Sequence, residues 1–422
     1  MESTPVIPAV RKVRTLPLAL CLLFTAFVTG TLVAAPTVEK KRDRDLPSNA
    51  PTQCPYCKGD PDLMRAAGVV SHGGFEVART TTAGVDEMFP ETDVRWIESR
   101  HFEIGIGIGT YKVSQKERDK FRAELTQLAK VLPAVDPKEK NIDPWLRAHL
   151  YVQRMEELWE RILKILQVDE RAFPDGRRPW DMTTPYRGEG PYLGQKGKYE
   201  ILVWPSEGIH YEFLNEQFGL RLRRTQRYNV IERDSLILLA HIQQEGLRYD
   251  EALHGHLAFN MTIQFLDGYK HYSYDSPVWM LEGMAHWIER SINPNFNSFD
   301  ASEGGAAHSS RKTNWEGPTR KIAASSKAIS LAQLVALRRY ADFELAHHYT
   351  CWSMIDFLMR EHPDFLAELW AGMKGITDQT GVADGSELKN VHRGLFKSGM
   401  SMSYAQFDTA WRNWVAETYS AK

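Results

Sequence analysis

The stretch Glu251–Met261, EALHGHLAFNM, carries His254 and His256 one residue apart, with Asn260 four residues after the second histidine. Further along, SPVWMLEGMAHWIER sets Glu282 and His286 four residues apart. Groups at i and i+4 project from one face of a helix, so each pair can meet a common target. A carboxylate and an imidazole spaced in this way can bind one metal together, or one can orient the other from behind. The plainer alternative is that the two groups hydrogen-bond each other inside a helix interface. On a regular helix His254 points roughly 160° away from His256, so the two cannot ligate the same ion. The metal candidates are therefore His256, Asn260, Glu282 and His286, while His254, on another face, is left as a possible cleft residue.

Two helices must present these groups, and the sequence supplies both. Asp250 is a plausible N-cap for a helix from Asp250 to Leu266, which Gly268 would end. Gly255 inside it costs about 1 kcal/mol relative to alanine, a penalty that signals close approach of another backbone. Ser276 as N-cap and Pro277 at the first helical position start the second helix, from Pro277 to Ile292. Upstream, Trp96, Phe102, Ile104 and Ile106 alternate with polar or small residues as in a strand. Trp145–Val168 has the spacing of a long amphipathic helix, and Lys198–Ser206 reads as a second strand. Downstream the pattern is helical over Leu331–Arg338, Ala341–Glu361, Pro363–Met373 and Tyr404–Thr418. The expected class is α+β: a small N-terminal mixed sheet followed by a mainly helical region, together spanning residues 93–420.

The chain has 422 residues, 43% of them hydrophobic, and a formal net charge of −2, so it can bury a substantial core. That charge balance gives no electrostatic reason to expect nucleic acid as a partner. Arg11, Lys12 and Arg14 precede the apolar run Leu16–Val28 and a small-residue stretch, the pattern of a secretory signal over residues 1–35. The protein is thus expected to be secreted or held in the periplasm or cell envelope, touching membrane only if that segment stays uncut as an anchor. Residues 36–53 are charged and proline-bearing, as in a flexible tether. Residues 54–92 form a glycine-punctuated lead-in opened by Cys54-Pro55-Tyr56-Cys57. In an exported protein this CxxC is a short disulfide or half of a metal site, with redox or cofactor attachment as a further reading. A c-type haem site would require histidine directly after the second cysteine, where Lys58 stands. Cys351 sits in an apolar, aromatic segment and reads as a buried thiol.

From about Arg95 to Val415 the sequence resembles the peptidase-MA-like superfamily, the gluzincin-type zinc metallopeptidases, and especially its secreted bacterial members. The likeness lies in the ordered run of SRHFEIGIG, ILVWPS followed by FLNEQFG, the paired site helices, HHYTCWSMIDFLMREHP and SYAQFDTAWRNWV. Its most specific part is PVWMLEGMAHWIE, which looks like the family's W-x-x-E-G-x-A helix. The resemblance implies a gluzincin fold in which H-E-x-x-H on the first helix gives two zinc-binding histidines and a glutamate base. The glutamate of the second helix is the family's third ligand. Residue by residue, the first histidine falls on His256 and the third ligand on Glu282.

The departures fall on the base position, which is Leu257, and on the second histidine position, which is Asn260. Leucine takes no proton, and loss of a general base alone removes roughly 10²- to 10⁴-fold in rate. A neutral amide is a weak zinc ligand. The resemblance further implies that the helix carrying His347, His348 and Tyr349 flanks the cleft, where these residues can donate a proton or a hydrogen bond. The expected protein is a divergent metallopeptidase-like one without ordinary zinc peptidase activity, binding a peptide, glycan or protein ligand in the former substrate cleft. The competing expectation is an active metal-dependent hydrolase, with zinc held by His256, Glu282 and His286.

Overall fold

A computed structural model describes residues 54–176, 180–273, 275–299 and 312–420. The signal segment and tether expected over residues 1–53 lie outside the described residues. Among the described residues no helix is long and apolar enough to cross a membrane.

The protein is α+β. Six strands, β1 (Val69–Ser71), β2 (Arg95–Ser99), β3 (Phe102–Ile106), β4 (Tyr199–Trp204), β5 (Gln226–Val230) and β6 (Ser235–His241), form one mixed sheet in the order β1-β2-β3-β4-β6-β5. The pairs β3/β4 and β4/β6 are parallel; the other three are antiparallel. Because β1 pairs with β2, the lead-in segment contributes the sheet's edge strand. The remaining sequence is mainly helical, and the four helices that matter for the site are α1 (Pro144–Leu166), α2 (Asp250–Gly268), α3 (Val278–Ile292) and α4 (Leu345–Glu361).

The stretch expected as one strand from Asp93 is a hairpin, turning at Arg100 and His101. The turn is held by Glu156 of α1, which accepts hydrogen bonds from the His101 amide at 3.1 Å and the Ser99 hydroxyl at 2.6 Å. The fold-back reverses the expected facing. Trp96 joins Leu202, Trp204, Ile237 and Leu239 on one side of the sheet, whereas Phe102, Ile104 and Ile106 face the main core with Ile201, Val203 and Leu238. In a continuous strand, residues an even number apart would have shared a face.

Helix α1 starts where Asp143 accepts a hydrogen bond from the Leu146 amide, with Pro144 at the first helical position, and ends at a left-handed Gln167 (φ 52°). Asp250 is the first helical residue of α2 rather than its cap; its carboxylate pairs with Arg154 of α1 at 2.8 Å and accepts from the Tyr151 hydroxyl. Helix α2 is buried on nearly every face, as befits a helix packed against α1, α3 and β6. Pro277, rather than Ser276, caps α3. The close backbone approach expected at Gly255 is not found: a Cβ there would lie 3.4 Å from the Glu289 Cγ of α3, an ordinary side-chain contact, and 4.0 Å from the nearest backbone oxygen. Gly283 is tighter still, since a Cβ would lie 2.6 Å from Ile355 Cγ1 and 2.8 Å from the Cys351 carbonyl oxygen on α4. Glycine at that position lets α3 and α4 close on each other.

Candidate metal centre

That close packing brings His348 of α4 against the Glu282–His286 face of α3. His286 Nε2 lies 3.1 Å from His348 Nδ1, and Glu282 Oε2 lies 3.5 Å from the first nitrogen and 3.4 Å from the second. All three side chains are fully buried. A cation with tetrahedral bonds of about 2.0–2.2 Å spaces its ligands roughly 3.3–3.6 Å apart, so the two Glu282 distances match one face of such a site and the His286–His348 side is slightly short of it. Neither oxygen of Glu282 has a hydrogen-bond partner among the described residues. A buried carboxylate without a donor is costly, and a cation between these three groups would satisfy it.

A second carboxylate stands behind the cluster. Glu289 Oε2 lies 3.3 Å from His286 Nδ1, so that ring's other nitrogen is left facing Glu282 and His348. Metal-binding histidines are commonly oriented by a carboxylate in this way. Glu289 is fixed in turn by the Ser298 amide at 2.8 and 3.0 Å and by the Ser298 hydroxyl. Burial pushes its carboxyl up to about 8.

His256 and Asn260, expected as ligands, are held outside this cluster. His256 Nδ1 is 2.8 Å from Ser298 Oγ and its Nε2 is 2.7 Å from Thr225 Oγ1, so both ring nitrogens are engaged by hydroxyls. Asn260 donates to the His256 carbonyl at 2.9 Å and accepts from Arg227 Nη1 at 2.7 Å. Burial, reinforced by the positive charges of Arg227 and Arg224, pushes His256 down to about 3 and keeps the ring neutral. Leu257, which the resemblance alone sets at the base position, is fully buried in the core.

These groups line a cavity of about 90 Å³ with Arg224, Gln244 and Phe299. The cavity has room for about three waters or one small polar group. The Nε2 atoms of His241 and His210 bond the carbonyls of Arg223 and Arg224 and so fix the loop that brings the arginines in. Phe299 packs edge-on against both His286 and His348, standing between the polar cavity and the three-ligand cluster.

The other candidates are placed elsewhere. His254 lies on the opposite side of α2, its Nδ1 3.4 Å from Lys120 Nζ. His347 accepts from the Glu344 amide at 2.9 Å and caps α4, while Tyr349 packs against Trp315. Cys54 and Cys57 are buried thiols not joined by a disulfide. With His72 and His149 they form the second group of metal-type ligands among the described residues, the first being Glu282, His286 and His348.

Glu289 was legible in principle, because it continues the stripe of Glu282 and His286 at the next helical turn. Thr225 and Arg227, at the start of β5, and Ser298, beyond α3, carried no such signal, since they lie outside the two helices whose spacing marks the site. The sequence matches no protein-family model, and no curated protein matches it either.

Proposed function

We propose that this chain is an exported, divergent member of the peptidase-MA-like superfamily that binds an acidic group in the former substrate cleft and does not hydrolyse peptides through the family's motif. The observation that carries this reading is the hydrogen-bonded set Arg227–Asn260–His256–Thr225, which includes the two residues the resemblance aligns with zinc-binding histidines and lines a small polar cavity beside Arg224. Two guanidinium groups beside a neutral imidazole and an amide suit a carboxylate. A volume of about 90 Å³ takes a chain end or a single acidic substituent of a peptide, glycan or protein, and not a length of chain. The test is calorimetry with short peptides bearing either a free or an amidated C-terminus. Free-acid peptides are expected to bind, amidated ones to bind much more weakly, and none to be cleaved. Equal binding of the two forms, or cleavage of the peptides, would overturn the reading.

A second reading is favoured by the three-ligand triangle. Here Glu282, His286 and His348 hold zinc and His348 takes the role that the family gives to the first-helix histidine, making the protein a rewired metal-dependent hydrolase. Three protein ligands leave one tetrahedral position for water, the pattern of catalytic zinc. Full burial of the three side chains favours the binding reading over this one. Zinc-dependent hydrolysis of an ester or peptide, abolished in His348→Ala, would decide for the hydrolase.

A further inference from the structure

The lead-in segment contains a second cluster that owes nothing to the cleft. Cys54 Sγ lies 3.1 Å from His149 Nε2, and Cys57 Sγ lies 2.9 Å from His72 Nε2. The four ligand atoms all fall within 4.8 Å of one another. Cys54, Cys57 and His149 are essentially inaccessible, at 2%, 0% and 1% exposure. We propose that Cys54, Cys57, His72 and His149 hold a structural Zn²⁺ that fastens the N-terminal segment to helix α1.

Each ligand is aimed by its own local structure. The chain turns tightly after the cysteines, with the Lys58 amide donating to the Cys54 carbonyl at 2.8 Å and with left-handed backbone at Lys58 (φ 54°) and Gly59 (φ 68°). His72 Nδ1 bonds the Trp96 carbonyl at 3.3 Å, which leaves Nε2 to face the sulfurs. The Tyr56 hydroxyl donates to Asp143, the same carboxylate that caps α1, so the cysteine turn is docked on the helix that carries His149.

The donor set selects the metal. Two thiolates with two imidazoles in tetrahedral array suit zinc, and four protein ligands in a buried position make a closed, structural site. An ion would open the S···N separations by about half an ångström, to the roughly 3.5 Å set by Zn–S bonds of about 2.3 Å and Zn–N bonds of about 2.0 Å. Binding releases the thiol protons, and each sulfur donates a lone pair with no change in oxidation state. The ion would join Cys54 to a residue 95 positions away and hold edge strand β1 to the sheet.

The full chain, purified without chelator, should contain zinc that is released, one equivalent per chain, when an organomercurial titrates its thiols. Cys54→Ser, Cys57→Ser and His149→Ala should each lose that equivalent, whereas Glu282→Gln and His348→Ala should retain it. Cobalt in its place should give thiolate-to-metal charge-transfer absorption and the intense visible bands of a tetrahedral ion. The wild-type organomercurial and cobalt measurements stand even if the variants fail to fold. A Cys54–Cys57 disulfide found by mass in protein lacking thiol-releasable zinc would overturn the proposal, as would iron at the site. Because no cleft residue is involved, these results are independent of whether acidic peptides bind.

Discussion

Glu282 and His348, 66 positions apart in sequence, meet with carboxylate oxygen and ring nitrogen 3.4 Å apart inside the helical core. Neither Glu282 oxygen has a hydrogen-bond partner among the described residues, so the arrangement concentrates ligand atoms while leaving that carboxylate without a donor. A cation at this point is expected to bind with an affinity that falls steeply in Glu282→Gln, His286→Ala and His348→Ala. Glu289→Gln, which removes the carboxylate behind His286, should weaken binding by about 10- to 100-fold. Metal titration of apoprotein in which the cysteine site has been blocked measures both effects; unchanged affinity in His348→Ala would remove His348 from the site.

Introducing an H-E-x-x-H motif with Leu257→Glu and Asn260→His should not create a peptidase. Leu257 is fully buried, so a glutamate there loses core packing and buries a charge, a change costing several kcal/mol. His256 also remains tied between Ser298 and Thr225. Thermal denaturation should report a markedly lower midpoint, and appearance of zinc-dependent peptide cleavage would contradict this expectation.

Arg227→Ala should reduce binding of free-acid peptides by about tenfold to a hundredfold, the range of one hydrogen bond to a charged group at about 1.5–3 kcal/mol. The same change releases Asn260 from its 2.7 Å contact. Arg227→Lys should recover only part of the affinity, since lysine cannot make a two-pronged contact. Calorimetry on the three proteins reads the difference, and full recovery by lysine would reduce the arginine to a simple positive charge.

Gly283→Ala should separate α3 from α4. The added methyl would sit 2.8 Å from the Cys351 carbonyl oxygen, which is backbone and cannot swing aside. Overpacking of this kind costs about 1–3 kcal/mol. Because His348 is on the displaced helix, metal affinity at the Glu282 cluster should fall along with stability. A variant as stable as wild type and with unchanged metal binding would contradict the tight helix contact.

Asp250 should make stability fall in acid. Burial alone would raise its carboxyl, but the Arg154 guanidinium more than reverses this and holds it well below the usual carboxylate range. With the folded value below the unfolded value of about 3.9, the stabilisation is complete above that pH and is lost as pH falls through the folded value. Asp250→Asn leaves Arg154 with Glu124 as its remaining carboxylate and should cost about 3–5 kcal/mol at neutral pH. Chemical denaturation across pH 3–7 should then show a flatter acid dependence than in wild type.

Local spacing was enough to place Glu282 and His286 on one helix face, to turn His254 away from His256, and to pair Cys54 with Cys57. Such relations follow from helix pitch and from a two-residue gap, which any packing preserves. The long helices and the β4 strand were readable for the same reason, because their apolar periods are local. The β2–β3 hairpin was not: its turn depends on Glu156 reaching in from α1, and the apolar alternation alone continues through it. What the tertiary structure decided is which imidazoles complete each cluster. His348 reaches Glu282 because Gly283 lets α3 and α4 close; His72 and His149 reach the cysteines because β1 pairs with β2, on which α1 packs; and His256 is drawn away by hydroxyls from Thr225 and Ser298. Each of these contacts joins segments far apart in the chain, so it is fixed by packing of whole elements and leaves no periodic trace in the sequence.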